Sequence, residues 1–107
     1  MNTRIEYLYR DGCNYKIHNE CVIEGELTEP QQDIILACRD DDIYFIPSDV
    51  GLPEVRFDSW DEQYDHDWFE LYDYAFSSTD ANPDVHITAA ELVEAFLAHK
   101  EEWENRG

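Results

Sequence analysis

Two stretches of this 107-residue chain carry side chains whose types and spacing could do chemistry. The first is Asp80-Ala81-Asn82-Pro83-Asp84-Val85-His86-Ile87-Thr88-Ala89-Ala90-Glu91. Its oxygen donors match the spacing of a calcium loop of EF-hand type: Asp80, Asn82 and Asp84 open it, Thr88 follows, and the acid Glu91 closes it. Ile87 takes the usual apolar position. Calcium collects hard oxygens, so Asp80, Asn82, Asp84 and Glu91 are the candidate metal ligands. Two departures weigh against them. Val85 stands where the sharp turn calls for Gly, and a β-branched residue is poorly suited to positive φ. Thr88 and Glu91 are equally well explained as a capping box at a helix start. The competing reading is an Asn-Pro-Asp turn that feeds a capped helix.

The second stretch is Asp65-His66-Asp67, in which a carboxylate could orient an imidazole for base or metal work. Neighbouring residues point to opposite faces of a strand and diverge on a helix, so the three do not converge unaided. The sequence contains no nucleophile motif, Gly-rich phosphate loop or spaced metal triad elsewhere. The expectation is a protein that is not an enzyme and needs no cofactor, calcium at the 80–91 loop excepted. Zinc at Cys13, His18 and Cys21 fails on spacing, and Cys21 reads as a core-facing strand residue.

Asp65 to Asp67 lie inside a longer run, Ser59 to Phe76, that alternates aromatics with acids and contains no Lys or Arg. Aromatics give large contact area, and the carboxylates around them set a negative potential. The whole chain has a formal charge of −19, with 26 acids against 7 Lys and Arg. Such a balance excludes direct binding to nucleic acid or to an anionic membrane, both of which need cations. It suits a basic partner. The functional expectation is a small acidic protein that binds or masks a basic macromolecule, as immunity proteins, antitoxins and nucleic-acid mimics do. Trp60, Asp61, Tyr64, Asp65, His66, Asp67 and Trp68 are the expected partner-binding residues. The alternative is calcium binding at 80–91. A third reading makes the acids a solvated face and the aromatics a core.

The elements that must position these residues read as one α+β domain over 1–107. A hydrophobic fraction of 43% is enough for a core. Arg4 to Tyr9 alternates with Ile5, Tyr7 and Tyr9 inward, Asp11 to Asn14 is a turn, and Tyr15 to Glu24 alternates again with Tyr15, Ile17, Cys21 and Ile23 inward. These make a β-hairpin. Thr28 and Gln31 have capping-box spacing for a helix over about 28–39, with Ile34, Ile35 and Cys38 as its apolar stripe. Ile43 to Ile46 and Glu54 to Phe57 read as short strands. A loop or short helix up to Asp67, then a strand from Trp68 to Phe76, follow on aromatic density. Thr88 and Glu91 cap the last helix, over about 88–104, whose stripe is Ala89, Leu92, Val93, Phe96, Leu97 and Trp103. The fold class is a mostly antiparallel sheet with both helices on one face. The opening residues form no apolar signal core, and three cysteines without a Cys-x-x-Cys pair fit reduced thiols, so the expected compartment is the cytosol.

Tyr7-Leu8-Tyr9-Arg10-Asp11-Gly12-Cys13-Asn14-Tyr15-Lys16, with Gly51-Leu52-Pro53 and Asp65-His66-Asp67-Trp68 later, resembles a family of small, acidic, uncharacterised bacterial proteins. The resemblance spans most of the chain up to Trp68. It implies a bacterial, cytosolic, single-domain protein and carries no activity. It also implies Arg10, Asn14 and Lys16, beside His66 and Trp68, as candidates for a site.

Overall fold

Strand β1, Asn2–Arg10, is the axis of the molecule: every other residue from Thr3 to Tyr9 is buried and the residues between are half-exposed. That alternation is the pleat itself, since successive side chains leave a strand on opposite faces. The structure, a computed structural model, describes residues 1–57 and 66–106. Strand β2, Lys16–Ile23, pairs antiparallel along the whole of β1, with Ile5 opposite Cys21 and Tyr9 opposite Ile17. The other edge of β1 is shared. Its C-terminal end takes β4, Phe69–Glu70, and its N-terminal end takes β5, Phe76–Thr79. Strand β3, Tyr44–Phe45, adds to β4 and completes a five-stranded antiparallel sheet.

Helices α1, Glu29–Ala37, and α2, Ala89–Arg106, supply the rest of the core. Ile5, Tyr7, Tyr9, Cys21 and Ile23 from the sheet join Ile35, Leu92, Phe96 and Trp103 from the helices in one buried cluster. Both expected capping boxes are made. The Thr28 hydroxyl accepts from the Gln31 N–H while Gln31 returns to the Thr28 N–H at 2.9 Å. At α2 the Glu91 N–H donates to Thr88 at 3.2 Å and Glu91 accepts from the Thr88 N–H at 3.0 Å. Each box satisfies donors that a helix start leaves open.

Several boundaries and faces differ from the sequence reading. Tyr15 is exposed in the turn before β2, not inward. The turn's left-handed residue is Asn14 at φ 70°, while Asp11 accepts from the N–H groups of Cys13 and Tyr15 and so closes an Asx turn. Ile34 and Leu97 lie exposed beside their stripes. The short strand expected over 43–46 is followed at once by a 3-10 helix, Pro47–Val50. Residues 54–57 form no strand, because the buried Asn19 side chain takes the place of a ladder partner, accepting from the Val55 N–H at 2.8 Å and donating to the Val55 carbonyl at 3.2 Å.

The expected strand over 68–76 is split. Glu70 faces Leu8 and Phe76 faces Ile5, so six steps along one chain answer three along the other. The surplus leaves the ladder as a wide bulge over Tyr72, Asp73 and Tyr74. The Glu6 N–H reaches the Ala75 carbonyl at 3.0 Å, and the Leu71 N–H reaches the Ile43 carbonyl at 2.8 Å, so the bulge is pinned at both ends. No helix among the described residues is long and apolar enough to cross a membrane.

Candidate functional site

The bulge makes the most distinctive surface of the molecule. The Tyr72 and Tyr74 rings stack with centroids 5.6 Å apart and planes 6° from parallel, and Tyr74 is 79% exposed. Beneath them, Glu70 is buried on the outer face of the sheet. Arg10 Nε donates to it at 2.8 Å, and the Tyr72 hydroxyl donates to the same carboxylate. Burial alone would push the Glu70 carboxyl up, but the bonds from Arg10 and Tyr72 outweigh it and hold the carboxyl below its ordinary range. The same bond to Glu70 pushes the Tyr72 hydroxyl up. Arg10 also donates to the Asn14 side chain, so two residues singled out by the family resemblance are in contact.

A groove lies on each side of this ridge. On the sheet side, an open groove of about 360 Å³ is lined by Glu6, Leu8, Arg10, Lys16, His18 and the two tyrosines. On the helix side, a groove of about 430 Å³ is lined by Glu29, Asp33, Asp42 and Asp73, with Arg39 at its base. The Arg39 side chain is only 9% exposed. It donates to the Leu36 carbonyl at the end of α1, to the Leu71 carbonyl at 2.6 Å and to Asp73 at 3.0 Å. A cation there completes the open carbonyls of a helix C-terminus and complements its dipole. Its guanidinium compensates Asp73, while Glu29, Asp33 and Asp42 line the same groove with no ion pair among the described residues.

Of the expected partner-binding residues, Trp60, Asp61, Tyr64 and Asp65 lie outside the described residues. The other three form a joint at the end of the sheet. The His66 carbonyl accepts from the Tyr9 hydroxyl at 2.9 Å, and His66 Nδ1 accepts from the Trp68 N–H at 3.1 Å. Asp67 bridges two guanidiniums, Arg56 at 2.8 Å and Arg106 at 3.3 Å. The Arg56 bond, reinforced by Arg106, holds the Asp67 carboxyl below its usual range. Arg56 lies over the Tyr9 and Phe69 rings, and Arg106 lies 5.6 Å from the Trp68 ring centre. Asp67 therefore serves the joint and adds little negative potential outward, whereas His66 does not meet a carboxylate of its own segment among the described contacts.

In the 80–91 loop the fold itself occupies two of the four expected ligands. Asp84 accepts from the Val22 N–H at 2.8 Å and covers the edge of β2, and Glu91 caps α2. Val85 packs against the core and has no positive φ. Asp80, Asp84 and Glu91 do not come together into a three-donor group among the described residues. Cys21 faces the core while His18 stands on the outer face, so zinc between them is sterically closed. The groove of Glu29, Asp33, Asp42 and Asp73 was not legible beforehand, because α1, a turn and the bulge must first fold together to make it. No family model, curated protein or solved structure matches the chain.

Proposed function

We propose that this protein works by binding a basic macromolecular partner and masking its positive surface, in the manner of an immunity protein, antitoxin or nucleic-acid mimic. The observation that supports the reading is how the charges are sorted. Five of the chain's 7 Lys and Arg, namely Arg4, Arg10, Arg39, Arg56 and Arg106, are engaged in ion pairs. Glu24, Glu26, Glu29, Asp33, Asp41, Asp42, Glu94, Glu101 and Glu104 stand exposed. A −19 surface sorted in this way steers a cationic partner over long range. Asp73, which lines the acidic groove, is the chain neighbour of the exposed Tyr74, whose ring is the aromatic anchor on this reading. The acids and aromatics of 60–65 extend the same chemistry along the chain. Calcium at 80–91 has less support, because Asp84 and Glu91 already accept the bonds that hold β2 and α2. A bacterial cytosolic setting, on the family resemblance and the free thiols of Cys13, Cys21 and Cys38, completes the proposal.

The test is affinity capture from cells that express the protein, at low and at high salt, followed by the same capture with Asp33→Lys/Asp42→Lys and with Asp61→Lys/Asp65→Lys. A partner of high isoelectric point that is retained at low salt, shed at high salt and lost from either variant is the expected result. A partner that binds both variants and ignores salt would sink the proposal.

A further inference from the structure

We infer that Asp49, His99 and Glu102 form a binding site for a borderline transition-metal dication, zinc above all. Their donor atoms lie within 4.8 Å of one another, and they come from two packed elements: Asp49 from the 3-10 helix, His99 and Glu102 from α2. His99 and Glu102 are three residues apart, which places them on one helix face. His99 Nδ1 and a Glu102 oxygen are 3.0 Å apart. That contact is a direct hydrogen bond, and a tetrahedral ion with ligands at ~2 Å would replace the shared proton and open the pair only to ~3.3 Å.

The second observation is what stands behind the donors. Trp103 is fully buried, and its indole N–H donates to Asp49 at 2.9 Å. The His99 ring stacks on the same indole, with centroids 6.0 Å apart and planes at 21°. One fully buried side chain thus touches two of the three donors, bonding Asp49 in the way outer-shell partners hold metal ligands. An imidazole and two carboxylates suit zinc, which takes nitrogen and oxygen and leaves a fourth position to water. Calcium prefers an all-oxygen cage with more donors. The −19 charge raises the local concentration of any cation.

A second group, Glu6, His18 and Glu20, offers the same donors and serves as the contrast. It shares its sheet face with Arg4, Arg10 and Lys16, and Arg4 stands 3.8 Å from Glu20. Cationic neighbours oppose a metal ion there, and among the described residues no buried side chain is bonded to its donors.

The experiment titrates the full chain with zinc chloride, followed by calorimetry and by the NMR signal of the Trp103 indole N–H. One equivalent is expected to bind, to move that indole signal and to raise the Tm. His99→Gln is expected to weaken binding at least about tenfold, by analogy with the loss seen when a site's supporting partners are removed. Asp49→Asn, which still accepts the indole bond, checks the second ligand without disturbing the fold and is expected to weaken binding similarly. His18→Gln and Cys13→Ser are expected to leave it unchanged. Absence of binding, or binding lost in His18→Gln or Cys13→Ser but kept in both His99→Gln and Asp49→Asn, would overturn the assignment.

Discussion

Arg10 and Glu70 meet across 60 residues of sequence at 2.8 Å, on the outer face of the sheet where β1 and β4 run side by side. Glu70 is 5% exposed, so its charge has lost most of its water and depends on Arg10 and Tyr72 for compensation. Glu70→Ala strands the guanidinium and the Tyr72 hydroxyl and removes the base of the tyrosine ridge. It is expected to cost about 2 kcal/mol in urea unfolding, below the full penalty for a buried pair because Arg10 can turn to solvent. Glu70→Gln keeps an acceptor and is expected to cost about 1 kcal/mol. Equal stability of Glu70→Ala and wild type would show that the pair contributes nothing.

The same carboxylate sets a pH dependence of defined sign. Glu70 and Asp67 both titrate below their ordinary values of 4.5 and 3.8 in the folded chain. As the pH falls, the unfolded chain therefore takes up those protons first, and the stabilisation from each group is lost as the pH drops through its folded value. Above the ordinary values the contribution is complete. Falling pH also relieves the self-repulsion of a −19 chain, which opposes the loss. The difference between wild type and Glu70→Gln separates the two effects. It is expected to be flat down to about pH 4.5 and to shrink below that. A difference that grows as the pH falls would contradict the assignment.

The turn between α1 and β3 carries a backbone cost that a substitution can remove. Asp41 and Asp42 have φ of 52° and 59°, and the Ile43 and Tyr44 N–H groups both return to the Asp40 carbonyl, at 3.2 and 2.8 Å. Two consecutive positive φ values are the signature of a type I′ turn, which Asn-Gly fills without penalty. Asp42→Gly is expected to raise stability by about 0.5 kcal/mol, the left-handed gain being partly offset by a freer unfolded chain. Asp42→Val is expected to lower it by about 1–2 kcal/mol. Equal Tm values for the two variants would refute the turn geometry.

What the sequence discloses here follows from how local each signal is. Ile5, Tyr7 and Tyr9 alternate with Glu6, Leu8 and Arg10, and that pattern alone gives β1 and its inner face. Thr28–Gln31 and Thr88–Glu91 announce their helices because a cap is a contact over three residues. Trp68 to Phe76 misleads because aromatic density reports burial on a pleat but not where the ladder breaks. The break depends on Leu71 bonding Ile43 and Ala75 bonding Glu6. The candidate sites are less legible still. Asp33, Asp42 and Asp73, or Asp49 and His99, show no spacing rule in the chain. Asp84 and Glu91 do show one, and the fold uses it for an edge and a cap.

The three cysteines offer a direct check on which face of each element is inward. Cys13 is exposed in the turn after β1, whereas Cys21 and Cys38 are 1% and 2% exposed. Burial pushes the Cys21 thiol up to about 12 and lifts the Cys38 thiol as well. Only the thiolate attacks a disulfide reagent, so both are protected twice, by access and by protonation. In native buffer one thiol is expected to react with Ellman's reagent within the mixing time, and the other two only at the rate of opening of the sheet and of α1. In denaturant all three react together. Cys13→Ser is expected to abolish the fast phase and leave the slow ones untouched. A second fast thiol in the native protein would place Cys21 or Cys38 at the surface and reverse the facing of β2 or α1.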